Sequence, residues 1–323
     1  MRGFRSYHLS FKRAQVACLF AFFSMIAVFC FASGRESRQE GEVVRIDTNL
    51  TNILFTALDK QHRFVITLRQ EDIRVLEDGV PQEIFTFSQE ADLPLSLALL
   101  IDVSSSEEDM LPIEKTAAKA FINAVIHSGK DRAAIAWFTS GMVVEQNLTD
   151  DAVQLPQSID RIRSTKGSTS IWDALWITSD EVLAKAPAGM RRAIILLSDG
   201  VDTTSEKKMK EAVDRALDME VTIYSLGIGD RKRFSVNEDA LRKVSERTGG
   251  HAYFPRTEAD LRAAFAEIQQ ELRSQYLVAY TPRYKSDAGL YHRVQIEVIN
   301  PEMHKQKLRL TYRQGYFSKP PAR

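Results

Sequence analysis

Two kinds of hydrophobic pattern divide the chain into a central part and two flanking parts. Between about residues 93 and 274, near-continuous apolar runs such as residues 95–101 alternate with segments whose apolar positions recur at helical spacing. Continuous apolar runs are typical of strands buried on both faces of a parallel sheet. The central part is therefore predicted to be an α/β domain, a doubly wound, mostly parallel sheet with helices on both faces.

The predicted elements of this central part follow one another in regular alternation. Strands are predicted over residues 95–101, 133–138, 143–146, 192–197, 221–226 and 251–254. Helices are predicted over residues 111–127, 152–162, 171–184, 206–219, 239–248 and 258–274.

Short segments of alternating polarity flank the central part on both sides. They cover residues 43–50, 53–58, 63–66, 73–77 and 82–87 before it, and residues 275–280, 292–298 and 308–312 after it. Asp78-Gly79 is the turn signal of a hairpin between residues 73–77 and 82–87. About fifty residues cannot bury a sandwich core alone. Residues 43–91 and 275–317 are therefore predicted to form one all-β, Ig-like sandwich, with residues 92–274 inserted and 318–323 as a tail. Two separate β extensions packed on the central domain are the alternative.

The first 34 residues have the pattern of an export signal. A basic segment containing Arg2, Arg5, Lys12 and Arg13 precedes an apolar run over residues 16–32, and small residues follow at 32–34. This predicts a cleaved secretory signal peptide, followed by a polar linker at residues 35–42. An uncleaved signal anchor is the alternative, because the apolar run is at the lower limit for a membrane span. The protein is expected to be exported, either periplasmic or secreted, or else anchored in the inner membrane and facing outward.

Composition bears on two further questions, nucleic-acid binding and cysteine chemistry. The 323 residues carry equal numbers of acidic and basic side chains, so nothing in the charge indicates a nucleic-acid partner. Both cysteines, Cys18 and Cys30, lie in the N-terminal apolar run. The exported part is therefore expected to have no disulfide, thiol nucleophile or cysteine metal site.

Oxygen-bearing side chains follow the first apolar run of the central part. Asp102, Ser104 and Ser106 stand at alternate positions where this strand should meet a helix. Such oxygens are the ligands that Mg²⁺ and other hard divalent cations prefer, and α/β sheets place their ligands at the carboxyl ends of strands. A Ser-rich helix cap would explain the same residues without a cation. This stretch alone leaves both interpretations open.

Two later loops favour the cation. Gly167-Ser168-Thr169-Ser170 opens a predicted helix, and Leu197-Ser198-Asp199-Gly200 ends a second buried strand. D-x-S-x-S, G-x-T-S and L-S-D-G, in this order, resemble the von Willebrand factor A-type (VWA) domain. The resemblance implies a metal-ion-dependent adhesion site (MIDAS), whose five positions match Asp102, Ser104, Ser106, Thr169 and Asp199. It implies Mg²⁺, with Mn²⁺ or Ca²⁺ as alternatives, and a protein partner whose acidic side chain completes the coordination.

The whole arrangement resembles a narrower group, the exported bacterial proteins called VWFA-related (Acidobacterial type). The E-D-G-x-P-Q-x-I hairpin and the terminal R-x-G-Y at Arg313, Gly315 and Tyr316 carry this resemblance. It implies an exported protein that binds a partner through its VWA domain.

Residues near the proposed ligands have simpler interpretations. Asp109 is interpreted as a solvated acid at a helix start, Asp173 as a helix cap or a partner of the ligands, and Ser105 as pointing away from the site. Residues 202–205 are predicted to form the N-cap region of the next helix.

Two other functions are alternatives to cation-dependent binding. One is a structural component of the cell envelope in which the cation only stabilises the fold. The other is a metal-dependent hydrolase, which the sequence favours less. No histidine pair has i,i+4 spacing or an H-E-x-x-H context, and there is no G-x-S-x-G or Walker A motif. The chain is accordingly predicted not to be an enzyme.

Overall fold

The computed structural model describes residues 50–89, 93–105, 109–229, 236–283 and 287–319. These ranges all belong to one compact unit, Asp47–Arg323. The predicted signal segment, the linker, Ser106 and most of the predicted strand at 43–50 lie outside the described residues. No helix within these ranges is both long and apolar enough to span a bilayer.

Fourteen strands lie within the described ranges. They are β1 (Thr51–Leu58), β2 (Ile73–Glu77), β3 (Val80–Gln82), β4 (Ile84–Gln89), β5 (Leu95–Asp102), β6 (Arg132–Phe138), β7 (Met142–Thr149), β8 (Arg191–Ser198), β9 (Val221–Gly227), β10 (Ala252–Tyr253), β11 (Tyr276–Tyr280), β12 (Tyr291–Val298), β13 (Arg309–Tyr312) and β14 (Gly315–Phe317). The α-helices are α1 (Leu111–Val125), α2 (Gln154–Arg161), α3 (Ile171–Ile177), α4 (Met209–Asp218), α5 (Glu238–Thr248), α6 (Glu258–Arg273) and α7 (Pro301–Lys305).

A six-stranded sheet forms the centre of the α/β part. Its order is β10-β9-β8-β5-β6-β7, and all pairs are parallel except the antiparallel pair of β6 with β7. Strand β5 is buried along its whole length. Helices α1, α2 and α6 contribute to the hydrophobic cluster on one face, and α3, α4 and α5 to the cluster on the other. The predicted doubly wound α/β architecture is therefore confirmed.

Strands from both ends of the chain pair with one another in two further sheets. One has the order β13-β1-β11-β4 and the other β14-β12-β2-β3, and every pair in them is antiparallel. A single hydrophobic cluster draws buried side chains from both sheets, such as Phe55 of β1 in the first sheet and Val294 of β12 in the second. Residues far apart in the sequence thus share one β core, although the Ig-like classification and the domain boundaries remain predictions.

The hairpin predicted at Asp78-Gly79 is confirmed only in part. Its turn and first arm form, but the second arm is divided between β3, which pairs with β2, and β4, which pairs with β11 in the other sheet. Pro81 lies in β3 and has no backbone N–H to extend the ladder. The chain therefore changes sheets where the sequence predicted one continuous strand.

The helix predicted over residues 171–184 was wrong beyond Ile177. A π-turn over Thr178–Val182 and a 3₁₀ turn over Leu183–Lys185 follow the α-helix. The buried hydroxyls of Thr178 and Ser179 donate to the carbonyls of Ala174 and Leu175, at 2.7 and 2.9 Å. Such back-bonding competes with the helical ladder and bends helices.

Candidate metal centre

Asp102 lies at the carboxyl end of the central strand and is fully buried. Its Oδ1 accepts a hydrogen bond from the Ser104 amide at 3.0 Å, and its Oδ2 accepts one from the Ser198 hydroxyl at 2.8 Å. Ser198 ends β8, which pairs in parallel with β5. The carboxylate therefore connects the ends of two neighbouring strands.

The environment of Asp102 disfavours its charged form. Burial raises its pKa to about 6, and the negative charge of Asp199 also raises it, against the lowering effect of hydrogen bonds from Ser104 and Ser198. Two buried carboxylates that lie close enough to interact are typical of sites where a bound cation balances their negative charge. Ser104, the next predicted ligand, is itself buried, whereas Ser105 is exposed, in agreement with its predicted direction.

The loop after β8 holds Asp199 in a fixed conformation. Asp199 is buried, its Oδ1 accepts from the Val201 amide at 2.8 Å, and its carbonyl accepts from the Asn237 amide at 2.7 Å. Gly200 has φ +77°, and a Cβ there would stand 2.9 Å from the Asn237 carbonyl oxygen. Glycine is required at this turn both for its left-handed backbone and for the close approach of residue 237.

Thr169 lies in a loop that runs across the carboxyl ends of several strands. The Thr165 amide donates to the carbonyl of Val103 at 3.1 Å, and the Ser170 amide donates to that of Thr139 at 2.8 Å. Val103 and Thr139 directly follow β5 and β6. The loop carrying Thr169 is thus held over the same edge of the sheet as Asp102.

Thr203 connects the Thr169 loop to the Asp199 loop. The Thr169 amide donates to the Thr203 hydroxyl at 2.8 Å, and the Thr169 carbonyl accepts from the Thr203 and Thr204 amides at 2.8 and 3.1 Å. These three bonds use only the backbone of Thr169 and do not engage its hydroxyl. The two loops are therefore fixed to each other by protein contacts alone.

Residues 202–205 cap a different helix from the one predicted. Asp202 Oδ1 accepts from the Ile171 amide at 2.8 Å and Ser205 Oγ accepts from the Trp172 amide at 3.0 Å, both at the start of α3. Sequence proximity suggested the next helix, but the fold brings the loop against the previous one, whose first amides need acceptors.

Asp173 supports the same loop from the opposite side. Its carboxylate accepts from the amides of Glu206 and Lys207 at 2.9 and 2.8 Å. Because these amides are held outside a helix, α4 begins at Met209 rather than at the predicted residue 206. Asp109, interpreted as a solvated acid, is exposed shortly before α1.

Four of the five predicted ligands are described, and the hydrogen bonds place their loops at one edge of the central sheet. Asp102, Ser104, Thr169 and Asp199 supply carboxylate and hydroxyl oxygens, a donor set that fits a hard divalent cation such as Mg²⁺. Their role as ligands remains a prediction, as does that of Ser106. The sequence motifs include Ser198 but do not indicate its contact with Asp102. Thr203 was predicted only as part of a helix N-cap region, and no role was predicted for Asn237. Their contacts depend on loop packing that no short motif encodes.

A second group of side chains that could hold a metal ion was not predicted from the sequence. Glu77, Asp78 and His292 each offer one ligand atom, and these three atoms lie within 4.8 Å of one another. The turn and the histidine are separated by more than two hundred residues in sequence, so no local pattern links them.

Comparisons with known proteins agree with the central fold. The von Willebrand factor type A domain family matches residues 96–270. A UPF0353 protein from Mycobacterium avium is 27% identical over 203 residues, which are 54% of this chain and 59% of that protein. A UPF0353 protein from Mycobacterium tuberculosis is 25% identical over 200 residues, with the same two shares. The matched region thus spans less than two thirds of these relatives.

One solved structure adds support for the fold alone. Proximal thread matrix protein 1 from the mussel byssus superposes with a TM-score of 0.51 at 16% identity, over 61% of this chain and 50% of that one.

Proposed function

Because the chain belongs to the von Willebrand factor type A domain family, we propose that it binds a protein partner through a divalent cation. Asp102, Ser104, Ser106, Thr169 and Asp199 would hold the cation, Mg²⁺ in the first place and Mn²⁺ or Ca²⁺ as alternatives. When bound, the cation supplies an electrophilic position that an acidic side chain of the partner completes. The Ser and Thr hydroxyls carry no charge, so they leave much of the cation's charge for the partner.

The observation that carries this proposal is the pair of buried carboxylates at the ends of β5 and β8. Burial and the charge of Asp199 raise the pKa of Asp102 to about 6. A cation bound between these carboxylates would offset the electrostatic repulsion between their negative charges. The hydroxyl of Ser198 orients Asp102, as hydrogen-bonded neighbours orient metal ligands in other proteins.

A structural role for the cation is the second candidate. The repulsion between Asp102 and Asp199 favours it, because a cation that relieves this repulsion also stabilises the fold. The contacts between Thr169 and Thr203 favour the binding role instead, because they join two of the loops without a cation. We propose binding without catalysis, since no nucleophile–base pair accompanies the cation site in the sequence.

Affinity capture separates these two roles. The full chain, loaded with Mg²⁺, is used to capture partners from envelope extract, alongside Thr169→Ala, Asp102→Asn and the exposed-acid control Asp109→Asn. We expect a captured protein that is lost with EDTA and with the first two variants and retained by the control, while circular dichroism shows each variant folded. A partner that is retained under every one of these conditions would refute cation-dependent binding and leave the structural role.

We also propose that the protein is exported, with the β sheets formed by its two ends acting as an Ig-like support for the binding domain. The basic and apolar pattern of residues 1–34 supports export. Mass spectrometry of the natural protein tests it. A mature N-terminus near residues 33–35 supports release, an intact Met1 on a membrane-bound protein supports the anchor, and an intact chain in the cytoplasm contradicts export.

A further inference from the structure

Three potential metal ligands meet where the Asp-Gly turn after β2 contacts strand β12. Glu77 is the last residue of β2, Asp78 is the first residue of the turn, and His292 lies on β12. One atom from each lies within 4.8 Å of the other two. Within the described ranges this is the one such group of three acidic, histidine or cysteine side chains.

The turn geometry aims Asp78 at His292. Asp78 has φ +49°, and its amide donates to the Arg293 carbonyl at 2.9 Å while its Oδ1 accepts from the Arg293 amide at 2.9 Å. Its other oxygen, Oδ2, lies 2.7 Å from His292 Nδ1. Both carboxylate oxygens are therefore fixed, one by the backbone and one by the imidazole.

Glu77 approaches the same imidazole from a buried position. Its side chain is 7% exposed, and its Oε2 accepts hydrogen bonds from the Tyr280 and Tyr316 hydroxyls at 2.7 and 2.8 Å. Tyr280 is fully buried, and its hydroxyl donates to this carboxylate rather than to water. Glu77 Oε1 then lies 3.9 Å from His292 Nδ1.

We propose that Glu77, Asp78 and His292 bind one transition-metal cation of the Zn²⁺ class, with water as the fourth ligand. Zn²⁺ accepts mixed imidazole and carboxylate ligands, whereas Mg²⁺ is bound mainly by oxygen. Ligand atoms around a tetrahedral Zn²⁺ are about 3.3 Å apart. His292 Nδ1 lies 2.7 Å from Asp78 Oδ2 and 3.9 Å from Glu77 Oε1, on either side of that value. The three side chains would have to adjust their positions to hold the cation.

Tyr280 and Tyr316 hold the Glu77 carboxylate in the way that neighbouring donors hold the carboxylates of metal sites. Metal-bound carboxylates are usually hydrogen-bonded through their second oxygen, which fixes their direction. Tyr280 on β11 and Tyr316 on β14 do this for Glu77. The cation would therefore join the N-terminal segment of the β sheets to the C-terminal one and close a long loop of chain. This site is independent of the cation proposed at Asp102.

A simple ion pair is the competing explanation, and the chain supplies a comparison for it. His127 Nδ1 lies 2.9 Å from Asp131 Oδ2, a pair like that of His292 with Asp78. No third acidic, histidine or cysteine ligand atom joins that pair within the parts of the chain that are described. His127→Gln is therefore a matched control, because it removes an equivalent histidine–aspartate pair without a proposed metal site.

Zinc affinity tests the proposal directly. The full chain is titrated with Zn²⁺ against a chromophoric chelator, with excess Mg²⁺ present to occupy the Asp102 site. We expect one Zn²⁺ per chain, at least a tenfold loss of affinity in His292→Gln and Asp78→Asn, and no loss in His127→Gln. Tyr316→Phe should weaken binding about tenfold, because it removes a hydrogen bond to a ligand rather than a ligand itself.

A second measurement guards against variants that fail to fold. Zn²⁺ should raise the melting temperature of the natural chain and of His127→Gln, but not that of Asp78→Asn, which keeps an acceptor for the Arg293 amide and tolerates the left-handed turn. Zinc binding that is absent from the natural chain, or equally strong in His292→Gln, would overturn the proposal.

Discussion

Replacing Asp102 by Asn should stabilise the protein in the absence of metal. Asn keeps an oxygen for the Ser104 amide and the shape of the side chain, but it carries no charge. In the natural chain, burial raises the pKa of Asp102 from its ordinary value of 3.8 to about 6, with Asp199 adding to the effect. The charged carboxylate is therefore less favourable in the folded state than in the unfolded state.

The size and pH dependence of this effect follow from linkage. Between about pH 4 and pH 6 the folded state binds more protons than the unfolded state at this position, so the stability contribution of Asp102 falls as pH rises. Above pH 6 the loss is complete and amounts to about 3 kcal/mol, given the pKa of about 6. Asp102→Asn removes this loss. It should therefore be more stable than the natural chain by up to about 3 kcal/mol at pH 8, with the difference shrinking toward pH 4.

Urea unfolding in EDTA, followed by tryptophan fluorescence, measures this difference. Trp137, Trp172 and Trp176 are the three tryptophans of the chain, and all lie in the central domain, so their signal reports its unfolding. Asp109→Asn, an exposed acid, is the control and should follow the natural profile. Adding Mg²⁺ should stabilise the natural chain and the control but not Asp102→Asn. The reasoning fails if Asp102→Asn is the less stable protein at pH 8 without metal, or if its pH profile parallels that of the natural chain.

Three further substitutions test the supporting contacts. Ser198→Ala removes the hydroxyl that donates to the buried carboxylate of Asp102 at 2.8 Å. It should lower the free energy of unfolding by about 2 kcal/mol. The control Ser225→Ala loses a hydrogen bond to a neutral serine. In urea unfolding it should lower the free energy of unfolding about half as much and leave Mg²⁺ affinity unchanged. If Ser198→Ala and Ser225→Ala had equal effects on Mg²⁺ affinity, the role of Ser198 would be contradicted. Gly200→Ala forces a Cβ to within 2.8 Å of a leucine side chain at φ +77° and should lower the melting temperature by several degrees. Gly141→Ala, with open space around the new Cβ, should have little effect, and similar losses would count against the strained turn. Thr203→Val removes the hydroxyl that joins the Thr169 loop to the Asp199 loop. It should weaken Mg²⁺ binding, measured by calorimetry, without unfolding the chain. Unchanged affinity would show that this contact does not support Mg²⁺ binding.

Much of the α/β fold could be predicted because its signals are local. The strand over residues 95–101 is a continuous apolar run, and burial on both faces requires such a run wherever it occurs. The helix predicted over 258–274 forms as Glu258–Arg273 because its cap, Thr257, and its apolar spacing lie within one segment. The candidate cation ligands could be proposed for the same reason, since each loop directly follows a recognisable strand or opens a helix.

Other features depend on partners that are distant in sequence. The chain leaves the predicted hairpin after Gln82 because β4 pairs with β11, about 190 residues later. Residues 202–205 cap α3 rather than α4 because the fold brings them to its exposed amides.

The sequence by itself determined the alternation of strands and helices, the family, and the oxygen-bearing loops at strand ends, because hydrophobic period and short motifs encode them. The tertiary structure alone decided which side chains support Asp102, how the two ends of the chain share a β core, and that Glu77 and Asp78 meet His292. These depend on contacts between segments far apart in the chain, which register and packing fix and no local pattern records.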